Sequence, residues 1–289
     1  MSEKPERVYY QQLELKHDND FLHFTDRYYS TGNFIIYKRL IKDRENDNLK
    51  RHNSFSLIQE IYTPFDIEET DISKFDRPYA GYLGFNFQHT ISSEEWLVDI
   101  IYALGVTGPM SGAEWLQNSF HSTATEDSRQ ATWQGQIKNG FTANLYFNYI
   151  KEWKLLPNPF SVYFALSPTT AVGTKDIYLQ NDLVFYFGKR NGLKNTMAYN
   201  QLGKLKNEFF FAVRAGYRYV FHDTMLEGNL LGDTSVFLVE PYHNVFIYNV
   251  ELYYRKGRND FKFFYNFLSA ETKTTENHMF VTLSLARNF

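Results

Sequence analysis

The chain has 289 residues, enough for one large all-β domain or two ordinary ones. Its charge is nearly balanced, at −3, which gives no basic footprint for a nucleic-acid partner. It has no cysteine, which excludes disulfides, thiol catalysis and cysteine metal sites.

Aromatic content is the unusual quantity: 27 Phe, 22 Tyr and 4 Trp make 18% of the chain. Many of these rings alternate with polar residues, and no apolar run reaches the ~18 residues that a membrane-crossing helix needs. A membrane β-barrel accounts for both facts, because its strands alternate lipid-facing apolar and lumen-facing polar side chains. Residues 1–7, Met1-Ser2-Glu3-Lys4-Pro5-Glu6-Arg7, have no apolar core and are no signal peptide. For an exported protein the sequence is then expected to be a mature form carrying an initiator Met.

In chain order, period-2 segments predict strands near 8–18, 30–41, 53–62, 80–91, 95–106, 133–153, 160–172, 176–189, 207–222, 236–256, 260–270 and 278–289. The pattern is strongest in 207–222. There Phe209, Phe211, Val213, Ala215, Tyr217, Tyr219 and Phe221 alternate with a second set that contains Glu208, Arg214 and Arg218. Each segment is at least close to the ~9–11 residues of a tilted membrane strand. Twelve strands, an even number, place both termini on one side of an antiparallel barrel. A soluble β-sandwich also has period 2, but the aromatic load on single faces favours the barrel. The last residue, Phe289, is a terminal aromatic that resembles the assembly signal of outer-membrane barrels. The expected fold is therefore all-β: one domain over 1–289, a twelve-stranded antiparallel transmembrane β-barrel with a short helix in its third outer loop.

The polar clusters fall at strand ends on the side away from the termini. Asp18-Asn19-Asp20 closes the first strand and Ser30-Thr31-Gly32 opens the second, so Asn19, Asp20 and Ser30 should meet at one sheet end. The second outer loop carries Asp76-Arg77-Pro78-Tyr79-Ala80-Gly81. Arg77 can hold a ligand phosphate, although Asp26–Arg27 and Asp76–Arg77 read first as structural ion pairs. The longest loop contains Gly108-Pro109, a breaker, and then Ser111 to His121. That stretch predicts a helix with Ser111 as N-cap, Glu114 completing a capping box, and Trp115 and Phe120 against the barrel. His121 stands at the helix end on the same rim as Asn19 and Asp20, followed by Glu126 and Asp127.

The motifs Asn19-Asp20, Thr25-Asp26-Arg27-Tyr28-Tyr29-Ser30-Thr31-Gly32, Tyr62-Thr63-Pro64, Asp76 to Gly81, Leu104 to Pro109, Gln117-Asn118-Ser119-Phe120-His121 and Trp133 to Ile137 occur in one order and spacing. Together they resemble the outer-membrane lipid A 3′-O-deacylase family over residues 14–140. The resemblance implies an outer-membrane enzyme that meets lipid A of lipopolysaccharide in the outer leaflet and hydrolyses the ester carrying the 3′ acyloxyacyl chain. It implies functional roles for Asn19, Asp20, Ser30, Arg77 and His121, with the family's later acidic residue at Glu126 or Asp127. A monomer is the expected state. Where many members have a glutamate after the Gln-Ile/Leu motif, this chain has Lys138-Asn139.

Two mechanisms fit these residues. In one, His121 is general base for a water, and Ca²⁺ held near Asn19 and Asp20 by hard oxygen ligands stabilises the oxyanion. In the other, Ser30 is a nucleophile activated by His121, with Asp20 orienting the ring; no glycine-flanked nucleophile elbow surrounds Ser30. Two alternatives stand beside this reading. One is a non-catalytic barrel, pore or structural, which predicts an open lumen. The other is an outer-membrane phospholipase.

Overall fold

A computed structural model describes residues 8–20, 26–41, 48–124 and 130–289. Twelve antiparallel strands close into a barrel. They are β1 (Gln11–Asn19), β2 (Tyr28–Ile41), β3 (Lys50–Thr63), β4 (Ala80–Ser92), β5 (Trp96–Thr107), β6 (Gly140–Leu156), β7 (Ser161–Gly173), β8 (Asp176–Lys189), β9 (Glu208–Asp223), β10 (Asn244–Lys256), β11 (Asn259–Leu268) and β12 (His278–Asn288). Each strand pairs with its neighbour in sequence, and β12 returns to β1 with Leu285 opposite Leu15.

The exposed face is the apolar one. Phe209, Phe211, Val213, Tyr217 and Phe221 of β9 are exposed while Glu208, Phe210 and Ala212 are buried. That inversion is what a hydrocarbon solvent demands. Two predicted strands start too early. Residues 133–139 and 236–243 are loops, because their apolar side chains enter small loop cores: Trp133 beside Tyr79, Ile137 beside Tyr82, Phe237 and Leu238 against the same groups. Trp133 (φ 52) and Gly135 (φ 63) adopt left-handed conformations that no strand continues through.

The lumen is filled. At the end holding the termini, the connection between β8 and β9 turns inward and buries Leu193, Met197 and Leu202 completely. Met197 packs on the inward Tyr186, Phe210 and Tyr253. Polar groups anchor it: Arg190 donates to both Glu152 oxygens at 3.0 and 2.6 Å, and Lys50 Nζ donates to Asn195 Oδ1 at 2.9 Å and the Leu202 carbonyl at 2.7 Å. Val8–Tyr9 pairs with Gly203–Lys204 of the same insert. Midway, Arg214 bridges Asp182 and Glu251. Near the other end the short helix α2 (Thr224–Glu227) seats Met225 on Ala80, Tyr82 and Ile137. The open lumen expected of a pore is thus replaced by a packed, ion-paired interior.

Candidate functional site

The rim away from the termini builds its polar groups from two strand ends and one helix. Along β1, Leu13, Leu15 and His17 are exposed and Gln12, Glu14 and Asp18 are buried, the alternation of a pleated strand. Asn19 ends the outward series, and its Nδ2 donates to Thr31 Oγ1 at 3.2 Å. Asp20 is 2% exposed, and its Oδ2 accepts the Arg27 backbone N–H at 3.0 Å. Ser30 is the extra residue of a bulge, since the pairing steps from Tyr29↔Tyr62 to Thr31↔Ile61. It is fully buried, and its Oγ has no hydrogen-bond partner among the described residues.

The helix α1 (Ala113–Ala124) lies against the outside of this wall. In β3, Phe55 and Leu57 face outward and are exposed, and Ile61 shares their face yet is 1% exposed. The loops and helix cover it, in one apolar group with Phe75, Tyr79, Ala113 and Trp133. The neighbouring Gly81 leaves no room for a side chain, because a Cβ there would stand 2.2 Å from Ser111 Oγ and 2.4 Å from Ala113 Cβ. Gln59 Nε2 donates to the Ser111 carbonyl at 2.7 Å, tying the helix entry to the wall.

Gln117 and His121 stand four residues apart on α1 and so share a face. His121 Nε2 is 3.0 Å from Asp26 Oδ2. Gln117 Nε2 donates to both Asp26 oxygens at 3.1 and 2.9 Å, and its Oε1 accepts the Trp133 indole N–H at 2.9 Å. Thr63 Oγ1 donates to the Asp26 carbonyl at 2.8 Å. Asp26 is therefore held from three sides and presents one oxygen to the imidazole. Two non-glycine residues in left-handed backbone flank the unit, Tyr28 (φ 60) and Trp133 (φ 52). Such strain persists only where surrounding contacts over-determine it, and it gathers at functional sites. The Tyr79 ring stacks on Trp133 at 5.1 Å between centroids, and burial pushes its phenol up to about 12.

Several expectations need correction. Asp26 and Arg27 form no ion pair: Asp26 meets His121, and Arg27 Nη1 meets Glu276 at 3.1 Å. Asp76 takes the Phe65 N–H at 2.9 Å, while Arg77 pairs with Glu271 at 3.3 Å. Neither sequence pair closes, because each side chain is taken by another residue. Arg77 is 1% exposed, donates to the Met225 carbonyl at 3.4 Å and lies 4.7 Å over the Tyr62 ring. It stands inside the barrel rather than on a surface open to a lipid phosphate. Ser111 is not the helix N-cap. It ends a 3-10 turn, Gly108–Ser111, and the Gly112 carbonyl accepts the first helical bond, from Leu116 N. Glu114 holds Gln136 instead of closing a capping box. Trp115 and Phe120 are 72% and 58% exposed and face away from the barrel. Beside Trp115, a cleft of about 490 Å³ runs along Pro109, Asn118 and Ser122.

The rim brings His121 together with Asp26, and the Asp20 carboxylate binds the residue that follows Asp26. Asp26, Gln117 and Trp133 are the functional candidates that sequence reasoning missed, although the spacing of Gln117 and His121 was a usable signal. Glu126 and Asp127 lie outside the described residues. Among those described, no three His, Asp or Glu side chains converge on one point. The donors near β1 and β2 are nonetheless all oxygen: the buried Asp20 carboxylate, the Asn19 amide and the partnerless Ser30 hydroxyl. That donor chemistry suits a hard cation such as Ca²⁺ and not a soft one.

The chain matches the family model described as outer membrane protein LpxR over residues 2–289. Comparison with curated proteins gives no match. Among solved structures it is similar to LpxR from Salmonella typhimurium, with a TM-score of 0.78 and 18% identity, covering 96% of this chain and 100% of that one. More distant are the β domain of the Bordetella autotransporter BrkA, at 0.47 and 10% identity over 98% and 99% of the two chains, and the translocator domain of NalP from Neisseria meningitidis, at 0.46 and 7% over 99% and 90%. The likeness to the Salmonella protein is one of fold.

Proposed function

We propose, on the premise that this chain belongs to the LpxR family of outer-membrane proteins, that it is a carboxylic ester hydrolase that removes the 3′-linked acyloxyacyl chain from lipid A in the outer leaflet. The observation that carries this reading is the His121–Asp26–Gln117–Trp133 chain of hydrogen bonds, built on the outer surface of the wall. A base placed there meets an ester of a neighbouring lipid, whereas a base in the filled lumen would not.

His121 is the general base. With its Nε2 proton directed at Asp26, the basic nitrogen of the neutral ring is Nδ1. Nδ1 takes a proton from water as the water oxygen bonds to the ester carbonyl carbon. The charged Asp26 stabilises the imidazolium so formed, and Gln117 and Thr63 keep Asp26 in place. When the tetrahedral intermediate collapses, the sugar oxygen leaves with the proton returned by His121. The products are a sugar hydroxyl and a free acyl carboxylate. Asn19 and Asp20 would hold Ca²⁺. When bound, the cation polarises the ester carbonyl and offsets charge on its oxygen. Ser30 positions water or substrate in this scheme, and Asp26 takes the ring-orienting role first expected of Asp20.

The test is mass spectrometry of lipid A from cells producing this protein or His121→Ala, with and without a Ca²⁺ chelator. Loss of one 3′-linked acyl group, abolished by the substitution and by chelation, is the expected result. Unchanged lipid A from cells with a correctly inserted wild-type barrel would refute the substrate assignment and turn attention to phospholipid esters.

A further inference from the structure

The membrane-facing wall below the site is not uniformly apolar. Reading across the strands at one level, the outward residues are Leu252, Phe263, Leu283, His17, Asn33, Gln59, Leu83 and Val106. The level below is Tyr254, Phe261, Leu285, Leu15, Ile35, Leu57, Phe85 and Leu104. A polar notch three strands wide therefore interrupts the apolar band, with apolar residues on both flanks. Strand tilt raises one flank and lowers the other, so tilt alone cannot produce the notch.

His17 is exposed, and its Nδ1 is 2.8 Å from Asn33 Oδ1. Gln59 is engaged with the Ser111 carbonyl above it. With Asn33 Oδ1 accepting, His17 carries its proton on Nδ1. The pair then turns two groups to the lipid side: the lone pair of His17 Nε2 and the Asn33 Nδ2 hydrogens. Neither group makes another hydrogen bond among the described residues. In hydrocarbon an unsatisfied polar group is costly, and polar residues at such positions mark substrate paths. The notch lies one side-chain repeat below the Asn19–Thr31 pair, about 7 Å away along the tilted strands by the rise of two residues.

We propose that His17 and Asn33 are positioning residues that recognise an oxygen carried on the substrate's acyl chain a few carbons below the scissile ester. The ester oxygen of an acyloxyacyl chain at that place accepts from Asn33 Nδ2, and a free hydroxyl there also donates to His17 Nε2. An unsubstituted chain satisfies neither and leaves the notch empty of partners. The pair thereby selects oxygenated acyl chains and fixes how deep the lipid sits, which sets the ester level with His121. This inference rests on the ester-hydrolase reading above.

The test uses two synthetic esters on the same sugar headgroup in detergent micelles, one with a β-hydroxyacyl chain and one with an unsubstituted chain of equal length. Release of acid by wild type and by the double variant His17→Phe, Asn33→Leu is compared. The variant restores the apolar band, and thermal unfolding confirms that it folds. The wild-type preference for the hydroxylated ester should fall about tenfold in the variant, the size of one net hydrogen bond. His17→Gln, which keeps a donor and an acceptor, should retain part of it. An unchanged preference in the double variant would overturn the inference. Native mass spectrometry of the intact lipids retained by each protein separates the two readings. Selective retention of the hydroxylated lipid by wild type alone, without hydrolysis, sinks the hydrolase reading and upholds the notch. Equal retention of both lipids by wild type sinks the notch.

Discussion

Replacing Asp26 by asparagine removes one charge while keeping shape and an acceptor for Gln117, which now donates to both Asp26 oxygens. At 3.0 Å the carboxylate fixes the His121 proton on Nε2. An amide in its place can present its NH₂ to that nitrogen, which moves the ring proton to Nδ1 and blunts the base. The same exchange in a Ser-His-Asp triad costs about 10⁴ in kcat. The Asp26 side chain is 26% exposed, so solvent screens part of its field. We expect a loss of about 10³, or ~4 kcal/mol of barrier at ~1.4 kcal/mol per decade. The assay is acyl release from purified lipid A in micelles, with thermal unfolding as a control for folding. The unfolding midpoint should barely move. A rate within a few-fold of wild type, beside an inactive His121→Ala, would refute the orienting role of Asp26 and return Asp20 to consideration.

Ser30→Ala deletes a buried hydroxyl that has no hydrogen-bond partner, so stability should hold or rise while acyl release falls about tenfold; complete loss would make Ser30 the nucleophile. Arg190→Met strands a buried Glu152, and breaking such a pair costs about 3–5 kcal/mol. Heat-dependent migration of the folded barrel in gels should then occur at lower temperature, and wild type should pass no ionic current in planar bilayers, whereas deletion of 191–205 should. The Lys74 ammonium, followed by the Asp71 N–H, holds the Glu69 carboxyl down at about 2. A depressed carboxyl contributes above its ordinary value and loses that contribution as pH falls toward the folded value. The 64–79 loop should therefore resist acid-active proteases at mild acidity, and Lys74→Ala should open it to cleavage there.

The barrel was legible because its signal is local: alternation along β9 or β10 needs no knowledge of distant residues. The two false strand starts share one cause. Trp133, Ile137, Phe237 and Leu238 are apolar for the sake of loop cores, and in a sequence they look like wall residues. The inward insert after β8 was illegible because its anchors, Lys50 and Arg190 among them, are charges that only a closed lumen brings together. At the site, His121 and the β1 end could be read from rim position. Its partner Asp26 could not, because the nearest charge in sequence, Arg27, offered a simpler pairing, whereas Arg27 is taken by the distant Glu276.

A solid barrel with its working groups on the outside has a consequence for how reactants arrive. Channel-type enzymes capture from a volume and must strip each molecule of its surroundings. On the proposed reading this wall meets substrate that drifts sideways in the leaflet, its tails staying in hydrocarbon throughout. The encounter is two-dimensional, so leaflet fluidity and lipid crowding govern turnover more than bulk concentration does. The sugar product leaves by the same lateral route, and the protein acts on its own solvent.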